Sequence, residues 1–209
     1  MATTYNRLAG QSLDRLSALS DGVFAVAMTL LVLDLKAPAA ELIHSEGELG
    51  RALLALAPRL LAYLMSFMTL GIFWNGQQSQ FNHLEKSDRD LTWIHIAFLA
   101  AVSLVPFSTA LLAELITFRL ALLIYWANIL LLGAVLYGSL SHSRRAGLLK
   151  ADVPVDLIRV QCRRILVYQL LYALGAALCF LSPAASLVAI LLVQLNSALA
   201  PRIKWLERF

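Results

Sequence analysis

The sequence predicts an all-α polytopic membrane protein, and its composition and hydropathy pattern are the observations that predict it. Of the 209 residues, 60% are hydrophobic and 14% are charged, with a mean hydropathy of +0.74. Soluble domains are nearer to about 45–50% apolar and about 25% charged. Apolar runs of about 20 residues, the length that a helix needs to cross a bilayer, recur along the chain. This pattern excludes a disulfide scaffold, a disordered chain and an ordinary soluble enzyme.

Six transmembrane helices are predicted within a single domain over residues 1–209. Pro106 is expected to kink the third helix, and Ser182-Pro183 to form a tight turn after the fifth. No long hydrophilic stretch is left for a second domain, and no cleavable signal peptide is expected. The six spans cover about residues 16–35, 52–75, 91–112, 120–140, 165–181 and 184–200.

The distribution of basic residues predicts the orientation of these helices. If the N-terminus lies inside, most of the 17 Lys and Arg residues become cytoplasmic. Because cytoplasmic loops carry the excess of Lys and Arg, both termini are predicted to be cytoplasmic. No basic run is interleaved with aromatic residues, so no nucleic-acid partner is expected. On the non-cytoplasmic side of the membrane, the predicted orientation leaves only Lys36, Arg51, Arg59 and Arg119.

The sequence gives little support for a disulfide, a metal site or an enzyme active site. Cys162 and Cys179 belong to no CxxC motif and lie near no His pair, so both are expected to be free thiols, and no metal site is predicted. Zinc-protease, nucleophile-elbow and phosphate-loop motifs are absent, so no enzyme activity is expected.

The first span contains an acidic residue that a simple membrane helix does not need. Asp21 lies inside this apolar helix, where a carboxylate costs about 3 kcal/mol at mid-bilayer and less towards the helix end. We therefore expect Asp21 to face the protein interior and to have a polar partner.

A stripe of aliphatic residues follows Asp21 on the same helix. At about 100° per residue, Val26, Leu30 and Leu33 share one face, and Gly22 and Thr29 lie on its shoulder. Asp21 lies about 140° away from this stripe, and Ser20 about 120° away on the other side. Periodicity alone is also compatible with an aliphatic ridge facing lipid or core, beside a buried structural hydrogen bond.

The residues of this helix carry a resemblance to a known family. The segment from Arg15 through Leu19-Ser20-Asp21-Gly22 to Thr29-Leu30-Leu31 closely resembles the transmembrane protein 175 family, whose signature is Arg-x-x-x-Phe-Ser-Asp. The resemblance with specific motifs covers about residues 15–115. Further similar landmarks are Phe73-Trp74, Asp88-Arg89-x-Leu91 and Pro106-Phe107-Ser108-Thr109.

The resemblance implies a potassium-permeable cation channel in which the first helices of several subunits line the pore. For the single-repeat form it implies a homotetramer in membrane lipid that conducts K⁺ and needs no cofactor. The family lacks the Thr-Val-Gly-Tyr-Gly filter, and so does this sequence. When the family motif is matched position by position, the residue that forms its constriction corresponds to Val26, and Leu30 and Leu33 form further layers. The hydroxyl residue of the family corresponds to Thr29.

An aliphatic constriction of this kind gates by dewetting, because a narrow apolar neck empties of water and blocks ions until it widens. The resemblance implies that the polar residues around the neck form an inter-helix network and are not ion ligands. As a hypothesis, Arg15 is the charge partner of Asp21. The network residues implied are Arg15, Ser20, Asp21, Gly22, Trp74 and His95.

Several positions depart from the family pattern. Leu19 replaces a Phe, and Val26 is smaller than the usual Ile or Leu, which would widen the neck. Gln77 and Gln78 stand where the family often has His, and His95 where it has Asn. These departures bear on gating and selectivity more than on the fold.

Two other functions fit the same residues. A small proton-coupled secondary transporter would use Asp21 as its ionisable site, facing a central cavity. A non-conducting membrane scaffold is the third reading. The resemblance to the single-repeat prokaryotic form predicts an integral protein of the plasma membrane of a prokaryote.

Overall fold

The computed structural model describes residues 12–199, and this part of the chain is a bundle of α-helices without a β-strand. The helices are α1 Leu13–Leu30, α2 Glu46–Ala55, α3 Ala57–His83, α4 Arg89–Ser103, α5 Val105–Glu114, α6 Arg119–Arg145, α7 Val155–Ala177 and α8 Pro183–Leu199. Short 3₁₀ helices cover Leu31–Asp34, Ala40–Leu42 and Leu178–Phe180.

Among the described residues, five helical segments are long and apolar enough to cross a membrane, and α8 is an apolar helix of 17 residues. The prediction of an all-α polytopic membrane protein is therefore confirmed. The predicted cytoplasmic position of the termini, and the end of the sixth predicted span at Ala200, lie outside the described residues. The five long segments are Leu13–Asp34, Ala57–His83, Arg89–Glu114, Arg119–Arg145 and Asp156–Phe180.

The second predicted span, 52–75, corresponds to helix α3, which differs from it at both ends. It begins at Ala57 because Pro58, a residue favoured in a first helical turn, separates it from the short helix α2. It ends at His83, beyond the apolar run, because its later polar residues are accommodated inside the bundle. Gln77 and Gln80 are both buried, and the Gln80 amide donates to the Leu136 carbonyl at 3.0 Å.

The fourth and fifth predicted spans are also extended at their basic ends. Helix α6 covers Arg119–Arg145 against the predicted 120–140, and α7 begins at Val155 against the predicted 165. Arg159, Arg163 and Arg164 lie in α7. Arginine is a good helix former, so the helix continues where the hydropathy falls.

The third span is interrupted near Pro106, as the sequence suggests. Helix α4 ends at Ser103 and α5 begins at Val105, with Pro106 in its first turn. The Pro106 ring clashes with the turn before it and bends the helix, so the Val105 N–H and the Ala101 carbonyl, which would bond each other in a continuous helix, need other partners. The side-chain amide of Asn128 supplies them when its nitrogen donates to the Ala101 carbonyl and its oxygen accepts from the Val105 N–H, both at 3.1 Å.

Aromatic packing fixes the first helix against the rest of the bundle. The Phe98 ring of α4 lies 6.0 Å from the Phe24 ring of α1 and 6.4 Å from the Phe73 ring of α3, centroid to centroid. All three side chains are buried. The side of α1 that carries Phe24 is therefore the side that belongs to the subunit core.

The connections α3–α4 and α6–α7 meet at one end of the bundle. The Glu85 N–H donates to the Leu148 carbonyl at 2.9 Å, and the Lys150 N–H donates to the His83 carbonyl at 3.0 Å. The Lys150 ammonium also donates to the Asn82 carbonyl at 2.8 Å. These contacts bring together the two connections and the helix ends beside them, which we call the basic connections; their basic residues are Lys86, Arg89, Arg144, Arg145 and Lys150.

Candidate ion pathway along the first helix

Helix α1 uses one face for packing inside the subunit. The buried residues of this face recur every three or four positions, which is the spacing of one side of an α-helix. They lie against α3 and α4. The buried residues are Leu16, Ser20, Phe24, Ala27 and Leu31.

The aliphatic stripe predicted from the sequence lies on an exposed face of α1 and continues to Leu33 in the 3₁₀ helix that follows it. Val26 is 58% exposed, Leu30 43% and Leu33 66%. Gly22 and Thr29 are exposed beside them, and a Cβ placed on Gly22 would meet nothing within 4 Å. None of these side chains is enclosed within the subunit, so the face is available for another molecule.

Thr29 has its hydroxyl hydrogen engaged by the helix. Its Oγ1 lies 2.8 Å from the Val26 carbonyl oxygen and 3.0 Å from the Ala25 carbonyl oxygen. The hydroxyl therefore donates back to the backbone, a common arrangement for threonine in a helix. Lone pairs of an exposed hydroxyl oxygen remain free to accept a hydrogen bond or to contact a cation.

Asp21 ties α1 to α3 through one carboxylate oxygen. Its Oδ1 accepts from the Trp74 indole Nε1–H and from the Gln78 amide, both at 2.8 Å. Hydrogen bonds to an ionised acceptor are about twice as strong as neutral ones. Asp21 thus has polar partners, both on α3. Its side chain is nevertheless exposed in the single chain, whereas we expected it to face the protein interior.

The hypothesis that Arg15 pairs with Asp21 is wrong for the described residues, where the partners of the carboxylate are Trp74 and Gln78. Arg15 is six positions earlier in α1, which places it about 120° away around the helix. Its backbone N–H instead donates to the Ser12 side chain that caps the helix.

Ser20 begins a second polar connection, which is buried. Its hydroxyl donates to the Leu16 carbonyl at 2.9 Å and accepts from the Gln77 amide at 3.2 Å. The same amide nitrogen lies 3.3 Å from His95 Nδ1, and His95 Nε2 lies 3.4 Å from the Ser139 hydroxyl. Because the Gln77 amide donates to Nδ1, the imidazole hydrogen is assigned to Nε2.

This connection joins α1, α3, α4 and α6 and includes two of the residues that depart from the family pattern, Gln77 and His95. Ser139 is a member that sequence reasoning missed, since one serine among many in an apolar helix gives no signal. Gly22, implied by the resemblance to belong to this network, lies on the exposed face without a nearby side chain. A glycine there leaves open space on the exposed side of α1.

A separate polar contact lies where the basic connections meet. His142 Nε2 is 3.0 and 3.1 Å from the two carboxylate oxygens of Asp88, which also accepts from the Leu91 N–H at 2.7 Å. Ligand atoms of Asp88, Asp90 and His142 lie within 4.8 Å of one another. Asp88 and His142 are each other's hydrogen-bond partners, so we interpret this contact as a link between the start of α4 and the end of α6.

The fold and the geometry of α1 together define a polytopic helical membrane protein with an aliphatic helix face that its own subunit leaves uncovered. A family model described as the endosomal/lysosomal potassium channel TMEM175 matches residues 15–106, which contain the exposed stripe and all but the first two residues of α1. A potassium channel of Chamaesiphon minutus is 38% identical over 157 residues, covering 71% of this chain and 76% of that relative.

Two further comparisons agree. A potassium channel of Streptomyces collinus is 43% identical over 100 residues, and the match spans 48% of this chain and 47% of that relative, about half of its length. The crystal structure of a lysosomal potassium-selective channel TMEM175 homolog from Chamaesiphon minutus covers 91% of this chain and 98% of that chain, with a TM-score of 0.77 and 28% identity. The chain belongs to the TMEM175 family, which is a family of ion channels and not of enzymes.

Proposed function

We propose that several copies of this chain form a potassium-permeable cation channel whose constriction is lined by Val26, Leu30 and Leu33. The observation that carries this proposal is the exposed aliphatic stripe of α1. The stripe is regular, contains no residue of the subunit core, and lies on the helix that the family signature marks. We infer that copies of α1 face one another around a common axis.

The position of Asp21 supports a neighbour other than lipid for this side of α1. The residue lies eight positions after the start of the helix, about 12 Å along its axis. Its carboxylate is exposed, and both of its donors bind the same oxygen. An ionised carboxylate in contact with acyl chains is expensive. Water or a second subunit beside Asp21 removes this cost.

A ring of aliphatic side chains in such a channel would act as a hydrophobic gate. Water leaves a narrow apolar neck, and an ion then meets a barrier until the neck widens. The exposed Thr29 hydroxyl, with its hydrogen committed to the backbone, would offer oxygens beside the neck. No resident cofactor is needed, because the permeant K⁺ is the only ion that the mechanism uses.

The proposed assembly is a homotetramer, the arrangement that the family resemblance implies for a chain with one six-helix unit. Native mass spectrometry of the detergent-solubilised protein tests it. We expect the mass of four chains of 23.0 kDa each. A dimer or a trimer would contradict the proposal.

We further propose that both termini are cytoplasmic and that the channel lies in the plasma membrane of a prokaryote. The two basic connections that the structure brings together support the orientation, since Lys and Arg concentrate on the cytoplasmic side. The bacterial origin of the matched potassium channels supports the location.

A proton-coupled transporter that uses Asp21 remains the second candidate. One observation favours it, namely that the exposed carboxylate of Asp21 receives both hydrogen bonds on a single oxygen. Purified protein in liposomes separates the two functions. Potassium flux that follows the potassium gradient without a fixed proton stoichiometry supports the channel, and strict coupling to protons supports the transporter.

Val26→Ala and Leu30→Ala test the constriction directly. Removing methyl groups from the neck should favour its wetting, so we expect severalfold greater K⁺ flux in liposomes and a weaker preference for K⁺ over Na⁺. Val32→Ala is the matched control, because Val32 is 48% exposed but, in the 3₁₀ helix that continues α1, lies roughly 80–120° around the helix axis from Val26. Unchanged flux in both neck variants would place the constriction elsewhere.

A further inference from the structure

A cavity of about 460 Å³ lies between α3, α6, α7 and α8, away from the exposed stripe of α1. Small-molecule sites in proteins span about 300–1,000 Å³, so this cavity is large enough for a specific ligand. Its walls include Gly76 of α3, Leu136 of α6, Ile165 of α7 and Ser197 of α8. It therefore opens within a part of the subunit that the proposed ion path does not use.

The cavity wall changes from polar to apolar along the helices. Ser79, Gln161 and Arg164 line the end near the basic connections, whereas Phe67, Met68 and Tyr172 line the other end. The Gln161 amide donates to the Ser79 hydroxyl at 3.2 Å, which fixes the start of α7 beside the end of α3. An amphipathic ligand could therefore place its polar head at the polar end of the cavity and its apolar tail at the apolar end.

Arg164 supplies an uncompensated positive charge at the polar end. Its guanidinium carbon lies 5.7 Å from the centre of the Tyr168 ring, which also lines the cavity. Within residues 12–199, the ion pairs join Arg59 to Glu114, His142 to Asp88 and Arg159 to Asp156, and none involves Arg164. A guanidinium in this setting is suited to a phosphate group.

Two glutamine carbonyl groups at the same end lack hydrogen-bond donors. Gln80 is only 5% exposed, and its Oε1 is buried without a partner, as is the Oε1 of Gln161. Both residues line the cavity. Gln169 also lines the cavity and has an unpartnered Oε1, whereas the unpartnered Oε1 atoms of Gln77 and Gln194 lie elsewhere in the bundle. Buried polar atoms are nearly always paired in folded proteins, so three orphan acceptors beside one cavity favour a ligand that brings hydroxyl donors.

We propose that the cavity binds one phosphatidylglycerol molecule per chain. The phosphate is held by Arg164, the glycerol hydroxyls of the headgroup donate to Gln80 and Gln161, and one acyl chain lies along the apolar end. A phospholipid is the occupant that a membrane supplies, and this headgroup matches both the free guanidinium and the orphan carbonyl oxygens. The site does not depend on conduction by the protein.

Native mass spectrometry of the purified oligomer, loaded with phosphatidylglycerol or phosphatidylcholine of identical acyl chains, tests the headgroup. We expect one phosphatidylglycerol per chain and about tenfold weaker retention in Arg164→Gln, equivalent to about 1.4 kcal/mol. Arg163→Gln is the matched control, because Arg163 is exposed, carries the same charge and does not line the cavity. Equal loss in the two variants, or equal retention of the two lipids, would overturn the proposal.

A second pair of variants tests the acyl-chain part of the site. Ile72 lines the cavity and Leu64 of the same helix does not. Ile72→Trp should fill the cavity and displace the lipid, whereas Leu64→Trp should leave retention as in the wild type. Retention of phosphatidylglycerol by Ile72→Trp would overturn the proposal. So would retention of phosphatidic acid, which lacks the glycerol hydroxyls, as firmly as phosphatidylglycerol.

Discussion

Asp21 accepts two hydrogen bonds on one oxygen, and both donors come from α3. The adjacent residue Ser20 is fully buried and accepts a hydrogen bond from Gln77, which also belongs to α3. Two neighbouring side chains of α1 thus meet two neighbouring amides of α3, one pair exposed and one pair buried. This double contact fixes the rotation of α1, and with it the direction of the aliphatic stripe.

Asp21→Asn should weaken this contact without removing it. The amide keeps an acceptor oxygen for Trp74 and Gln78 but loses the charge that strengthens both bonds, so we expect a loss of about 1–2 kcal/mol in unfolding free energy. Thermal unfolding of the oligomer in detergent measures the change. Asp14→Asn, in the exposed first turn of α1, should have a smaller effect. A variant as stable as the wild type that no longer conducts would indicate a direct ionic role for Asp21.

Gln77→Leu should be more harmful than Gln78→Leu, although the two residues are adjacent. Gln77 is fully buried, and its loss leaves Ser20 Oγ and His95 Nδ1 without their donor, at an expected cost of about 1–3 kcal/mol. Gln78 bonds only the exposed Asp21, which keeps its bond from Trp74. Equal unfolding temperatures of the two variants would show that the buried connection does not stabilise the bundle.

Helix α1 shows what a sequence pattern can and cannot predict for a single element. Its aliphatic stripe follows from helical periodicity, because positions on one helix face are fixed by spacing alone. The partners of Asp21 could not be found in this way, since Trp74 and Gln78 lie 53 and 57 residues further along the chain. Only tertiary packing decides which face of α3 meets α1.

The helix ends were the least predictable part of the fold. Hydropathy locates an apolar run, but α3 continues past it through glutamines, and α7 begins before it with arginines. Both extensions are helical because the side chains concerned have partners inside the bundle or favour helix at its surface. A hydropathy window registers neither reason.

The break between α4 and α5 leads to a prediction for Asn128. Asn128→Leu removes the amide that can satisfy the Ala101 carbonyl and the Val105 N–H, so we expect a loss of about 1–3 kcal/mol in unfolding free energy. Pro106→Ala removes the ring that clashes with the preceding turn, so the helix can straighten and the Val105 N–H can donate to the Ala101 carbonyl itself. The same Asn128→Leu change should therefore cost less in a Pro106→Ala background, as measured by a double-mutant cycle. Strict additivity of the two changes would contradict this role.

In the whole subunit, the exposed stripe of α1 and the proposed lipid cavity lie in different places. Core packing and the polar connections from α1 to α6 enclose most of the bundle, while the stripe of Val26, Leu30 and Leu33 stays uncovered. The proposed lipid cavity lies between α3, α6, α7 and α8. We infer that α1 faces the axis of the oligomer and that α7 and α8 lie towards the bilayer.

The proposed function requires that the stripe of α1 lines a water-filled path when the protein conducts. Val26→Cys and Val32→Cys, each made after Cys162→Ser and Cys179→Ala, test it in liposomes with a small water-soluble thiol reagent. We expect the reagent to block K⁺ flux through Val26→Cys and to leave flux through Val32→Cys unchanged. Undiminished flux through Val26→Cys after complete modification, or equal block of both variants, would contradict it.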